Sequence, residues 1–237
     1  GKISAVNADE FSHGCQLAIA HTRWATHGGV TAANSHPHTN ADGSIVVVHN
    51  GIIENYQDLR KELESKGHTF LSETDTEIIP HIIEEEMKTN SDFASAVRNA
   101  CTKFEGRYGI LAFHEESNIL VATRTGSPLI VGVSKEDGYF IASDIPAFME
   151  HTKVVQYLDD GEMVVTDGKS ILFTDLITGE EKPKREIEIT WSVEKAQKGD
   201  YAHYMLKEIM EQKDSIARAV NQDDEQIRVI ADAIKNA

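Results

Sequence analysis

A chain of 237 residues, 40% of them hydrophobic and only 5 of them proline, can bury a substantial core, which argues against wholesale disorder and fits one domain, or one with an appendage. Its formal charge of -16 argues against non-specific nucleic-acid binding, because neutralising phosphates takes clustered Lys and Arg, and runs such as Glu84-Glu85-Glu86 and Asp223-Asp224-Glu225 read as solvated surface. With 2 cysteines (Cys15 and Cys101), no CxxC pair, no apolar signal segment after Gly1 and no membrane-length apolar run, the expected setting is the reducing cytosol, off the membrane.

In chain order, Leu17 to Ala20 is a short apolar run that gives way to polar, turn-prone sequence as far as Gly43. Ile45 to Val48 is a continuous β-branched run and predicts a buried strand that stops at Asn50-Gly51. The next helix shows Tyr56, Leu59 and Leu63 on one face and ends at Gly67. Thr69 to Leu71 reads as a short strand. Thr74 to Glu77 reads as a capping box opening a second helix, in which Pro80 predicts a kink or an irregular first turn. Phe93, Ala96, Val97, Ala100, Cys101 and Phe104 recur at helical spacing, so Cys101 reads as a small core residue.

From Tyr108 to about Thr190 the pattern changes to short strands: 109–113, 119–123, 129–133, 139–142, 161–166, 170–173 and 187–189. Asp137-Gly138 and Asp167-Gly168 are hairpin signals, and Asp160-Gly161 is a weaker one. Helical sequence returns over 201–220 and 224–234. The fold class is therefore α+β, with helices covering antiparallel sheets and a helical tail.

Taken singly, the polar residues have ordinary explanations. Asn-Gly after a β run is usually a turn, an Asp at a helix start serves the helix dipole, and an Arg is usually a surface ion pair. Of the 11 histidines, six lie in the first fifty positions (His13, His21, His27, His36, His38 and His49), and His36-Pro37-His38 invites a metal reading. No carboxylate or Cys completes a ligand spacing there, so His36 and His38 are expected to order a loop over a pocket, and His49 to satisfy a strand end.

Four segments occur together in one order: His21-Thr22-Arg23-Trp24-Ala25-Thr26-His27-Gly28, Val47 to Asn55 around His49-Asn50-Gly51, Ser72-Glu73-Thr74-Asp75-Thr76-Glu77, and His203 to Ile209. Together they resemble the glutaminase half of glutamine–fructose-6-phosphate aminotransferases, a class of glutamine amidotransferase, over nearly the whole chain. Arg124 to Leu129 and Ile141 to Asp144 are supporting matches. The resemblance implies an N-terminal-nucleophile type four-layer αββα sandwich over residues 1–190, incomplete because its N-terminal strands are missing, followed by a helical linker over 191–237 toward sugar-isomerase domains.

It also implies roles. L-Glutamine offers an α-carboxylate, an α-ammonium and a side-chain amide. Arg23 suits the carboxylate through its planar fork, with Thr26 and His27 beside it, and Asp75 suits the ammonium. Asn50 and Gly51 resemble an oxyanion hole, and Trp24 an aromatic gate to an ammonia channel. No cofactor or metal is implied. The family's nucleophile is a processed N-terminal cysteine with a free amine. Here the first residue is Gly1, and Cys15 has no paired base, so the chain is expected to be truncated at both ends and inactive alone. The parent is expected to transfer ammonia to fructose 6-phosphate as a cytosolic homo-oligomer. A non-catalytic glutamine-sensing module is the alternative.

Overall fold

The structure, a computed structural model, describes residues 17–23, 27–190, 199, 201–221 and 224–235. It divides into two compact units, 1–189 and 190–237. Among its described residues the first unit holds ten strands and three helices. The strands are β1 (His38–Thr39), β2 (Ile45–Ile53), β3 (Gly106–His114), β4 (Ile119–Thr125), β5 (Ile130–Ser134), β6 (Gly138–Ala142), β7 (Val154–Tyr157), β8 (Glu162–Thr166), β9 (Ile171–Asp175) and β10 (Ile187–Glu188). The helices are α1 (Tyr56–Ser65), α2 (Ile78–Met87) and α3 (Phe93–Cys101).

Two antiparallel sheets result, with strand orders β1-β2-β3-β4-β8-β9 and β10-β7-β5-β6. The pleat sorts side chains into two cores. Ile45 and Val47 of β2, Ile110 of β3 and Val121 of β4 pack with Ile78, Ile79, Ile82 and Ile83 of α2 and with Phe93 and Val97 of α3. On the opposite face, Ala122 and Val164 meet Leu129, just before β5, and Val131 of β5 in the smaller sheet. Among the described residues the layers thus run helix, sheet, sheet, the α+β sandwich expected. Each fully buried Ile or Val contributes about 1.5–3 kcal/mol of transfer free energy. Leu17, Ala18 and Ala20 line a cavity of about 300 Å³ with Leu111, Tyr139 and Ile141.

Most elements fall where the pattern puts them, and the departures have local causes. β2 does not stop at Asn50-Gly51. It runs on to Ile53, paired throughout with β3, so the Asn-Gly pair sits inside a strand and makes no hairpin. The capping box does not form: the Glu77 carboxylate accepts from Leu71 N, Ser72 N and Ser72 Oγ rather than from Thr74. Those bonds also take the Leu71 and Ser72 donors a ladder would need, and 69–71 is no strand. α2 begins after a turn at 75–77, which puts Pro80 in its first turn, where no backbone donor is needed, and the kink disappears. α1 ends in a Schellman motif: His68 N donates to Leu63 O and Gly67 N to Glu64 O, with Gly67 at φ +96°. α3 is capped by Asp92, whose side chain accepts from Ser95 N.

Asp137-Gly138 and Asp167-Gly168 close the β5–β6 and β8–β9 hairpins, but Asp160-Gly161 closes none. It lies between β7 and β8, which belong to different sheets. Arg124 pins that crossing, pairing with Asp160 at 2.7 Å and donating to Leu158 O. Strands β1 and β7 carry no clear pattern of their own and were not expected.

The second unit contains α4 (Tyr204–Val220) and α5 (Asp224–Lys235). Met205, Ile209, Met210 and Ile216 are exposed on α4. No helix among the described residues is long and apolar enough to cross a membrane.

Candidate functional site

Five of the residues singled out from the sequence, Arg23, His27, Asn50, Gly51 and Asp75, line one cavity of about 230 Å³, although some fifty positions separate the first from the last. Trp24, Thr26 and Cys15 lie outside the described residues. Cys101 is buried in the helix–sheet core and does not line the cavity. Burial pushes its thiol up to about 12, which makes it an inert core residue.

β2 supplies the floor. Asn50 projects toward the smaller sheet, and its neighbour His49 toward the segment before α2. Gly51 lies so close to β3 that a Cβ would sit 2.0 Å from Arg107 O, and its φ is +123°. Only glycine fits there. Asp75 forms the opposite wall, buried, with Oδ2 accepting from Ile53 N at 2.9 Å and Oδ1 3.7 Å from His27 Nδ1.

Arg23 has φ +50°, a backbone geometry rare for a residue with a side chain. Its guanidinium donates to the carbonyls of Gly29 at 2.9 Å and His27 at 2.8 Å, wrapping the 27–29 loop around the charge. A carboxylate entering the cavity would have to exchange with these carbonyl contacts.

A hydrogen-bond chain fixes the orientation of Asn50. Arg23 N donates to His21 Nδ1 at 2.9 Å, which places the His21 proton on Nε2. That N–H donates to Asn50 Oδ1 at 2.8 Å. With Oδ1 occupied, the amide NH₂ is the end of Asn50 that remains available as a donor. A second chain runs beside it: His49 N donates to His36 Nδ1, His36 Nε2–H to Thr76 Oγ1, and the Thr76 hydroxyl to His49 Nδ1. His49 Nε2 then carries a proton and, like His27 Nδ1, is buried without a hydrogen-bond partner beside the cavity. Burial, then the neighbouring His21, lowers His36 to about 3; burial lowers His49 to about 4. Both rings are neutral at pH 7.

His36 and His38 tie their loop to the acidic segment through Thr76 and Thr74, the ordering role expected of them. The orienting function of His21 and Thr76 was not legible. His21 heads the Arg-Trp segment, and that was its only signal.

Two solved structures share this architecture. A glutamine phosphoribosylpyrophosphate amidotransferase from B. subtilis superposes with a TM-score of 0.56 at 23% identity, covering 67% of this chain and 34% of that one. An allosteric regulatory enzyme of purine biosynthesis gives 0.56 at 24%, covering 68% and 35%. The class is thus the antiparallel α+β sandwich of those enzymes.

Residues 21–150 match the glutamine amidotransferase domain family, and the chain belongs to that family. Among curated relatives, the glutamine–fructose-6-phosphate aminotransferase (isomerizing) of Methanothermobacter thermautotrophicus is 48% identical over 233 residues, 97% of this chain and 39% of its own length. The enzyme of the same name from Pyrococcus horikoshii is 46% identical over 205 residues, 86% and 34% respectively. That of Clostridium tetani is 49% identical over 197, 83% and 32%. The chain spans 32% to 39% of these relatives' lengths.

Proposed function

We propose that the cavity binds L-glutamine and that, within a longer polypeptide, it releases ammonia from the side-chain amide. The supporting observation is one of complementarity. A guanidinium, Arg23, and a carboxylate, Asp75, flank a strand that offers the free amide end of Asn50, matching the two charged groups of glutamine and its reacting carbonyl. Arg23, with Thr26 and His27, takes the α-carboxylate, and Asp75 takes the α-ammonium. Asn50 Nδ2 and Gly51 N–H receive the oxyanion of the tetrahedral intermediate. Trp24 serves as the gate through which ammonia leaves.

Hydrolysis also needs a nucleophile, and no cysteine among the described residues lines the cavity. In this reading the thiol comes from outside those residues. The names of the relatives favour fructose 6-phosphate as the acceptor of the ammonia, and the family resemblance implies that sugar-isomerase domains hold it, with glucosamine 6-phosphate as product. A second reading is a glutamine-sensing module without catalysis.

Calorimetric titration of the chain with L-glutamine tests the binding step. L-Glutamine should bind more tightly than D-glutamine, and the binding should be lost in Arg23→Lys, which keeps the charge but not the paired geometry, and in Asp75→Asn. Equal affinity for both enantiomers would refute the reading. In a polypeptide with glutaminase activity, Asn50→Ala should lower kcat by about 10²–10³-fold at nearly constant KM, whereas Arg23→Lys and Asp75→Asn should raise KM. A catalytically silent full-length protein that still binds L-glutamine would select the sensing module.

A further inference from the structure

Away from the cavity, the turn after α1 and the second turn of α2 bring together two imidazoles and a carboxylate whose lone pairs converge. His68 Nδ1 lies 2.9 Å from His81 Nδ1 and 3.4 Å from Glu84 Oε2, and His81 Nδ1 lies 3.7 Å from the same oxygen. We propose that these three atoms form a binding site for a divalent transition-metal ion, Zn²⁺ being the best match to two nitrogens and one oxygen.

The dimensions fit. A tetrahedral ion bonded at about 2.0–2.1 Å holds its ligand atoms roughly 3.3 Å apart, close to the average edge of this triangle. His81 and Glu84 stand at i and i+3 on α2 and so face the same way. The fourth position is left to water.

The surroundings are arranged as for a metal ligand. His68 Nε2 donates to Glu85 Oε1 at 2.7 Å, which places the proton on the far nitrogen and leaves the Nδ1 lone pair toward His81 and Glu84. Glu85 itself pairs with Lys88 and lies 3.9 Å from Lys66, so its charge is balanced and it orients His68 without competing for the ion. His81 is held by packing: it is buried, with the Phe70 ring 4.8 Å away edge-on.

In the ion-free molecule His81 Nδ1–H donates to His68 Nδ1, an ordinary histidine pair. Coordination replaces that bond: the His81 proton passes to Nε2, the imidazole stays neutral, and no proton is released. The ion then links the Gly67-His68 turn to α2, the helix that continues from Asp75 and Thr76.

The test uses Co²⁺ and Zn²⁺ alone on the purified chain after chelator treatment. One Co²⁺ per chain should give the intense visible absorption of a tetrahedral ion, and Zn²⁺ should displace it. Zn²⁺ at a hundredfold excess over its Kd should raise the melting midpoint by roughly 5–10 °C. His68→Gln and Glu84→Gln, which melt like the parent in chelator, should abolish the absorption. Glu85→Gln should weaken binding by about 10–100-fold. A chain that binds no Co²⁺ refutes the proposal. So does binding that persists in both variants and disappears instead in His36→Gln, which would place the ion among the other histidines. Should His68→Gln fail to fold, Glu84→Gln alone decides.

Discussion

Replacing Gly51 with alanine tests how closely β2 approaches β3 beneath the cavity. The added Cβ would meet Arg107 O at 2.0 Å, and Arg107 C and Tyr108 Cα at 2.9 Å each. All three are backbone atoms, so no rotamer change relieves the contact. Reaching an ordinary separation of 3.4 Å requires the strands to part by roughly 1.4 Å, and β3 is held on its other side by β4. The φ of +123° adds strain for a residue with a side chain. Taking about 1–2 kcal/mol for the backbone and about 1–3 kcal/mol for overpacking gives about 2–5 kcal/mol lost, a large part of the 5–15 kcal/mol a domain has in all. Gly67→Ala separates the two terms. Its φ is also positive, at +96°, yet its Cβ would meet nothing within 4 Å, so it should lose only the backbone share, about 1–2 kcal/mol. Urea unfolding of both variants, followed by far-UV circular dichroism, measures the difference. Equal losses would mean that β2 and β3 are not as close as described.

His21→Phe keeps a flat ring to stack on His36 but cannot donate to Asn50 Oδ1, so glutaminase kcat in an active polypeptide should fall by up to about tenfold with KM little changed. An unchanged kcat would remove His21 from the positioning of Asn50. Because His36 and His49 are held at about 3 and about 4 while the unfolded chain takes up protons below about 6.5, the fold should lose stability as pH falls from about 6.5 toward 4. Urea midpoints at about pH 7 and about pH 4.5 measure this, and a midpoint that does not fall on acidification would show that these rings do not stay neutral.

What the sequence made legible was mostly a matter of repetition. The β-branched run at Ile45 and the helical period from Phe93 to Cys101 state their structures directly, since each position repeats the same message. Short-range signals with rivals misled. Asn50-Gly51 has the chemistry of a turn, but β3 offers Asn50 and Gly51 paired neighbours in Gly109 and Tyr108, and the ladder wins. Thr74 to Glu77 has the spacing of a capping box, but Glu77 finds three donors at Leu71 and Ser72, and a buried carboxylate goes where the donors are. At the cavity, the gathering of Arg23, Asn50 and Asp75 followed from the joint occurrence of their segments. The chains through His21 and through Thr76 did not, because a hydrogen-bond partner chosen across 27 or more positions leaves no periodic trace.

The alternation along β2 has a consequence for how this gene tolerates change. His49 faces the helices and Asn50 the second sheet only because they are neighbours on a pleat that Ile45 sets in register with His114. A substitution at Val46 or Val48 alters one contact. An in-frame loss or gain of a single codon between Ile45 and Val48 would rotate every later side chain to the other side, sending the Asn50 amide toward α2 and the His49 ring between the sheets. Point variation in this strand should therefore be graded and length variation all-or-none, so deletion scanning would mark the segment more sharply than alanine scanning.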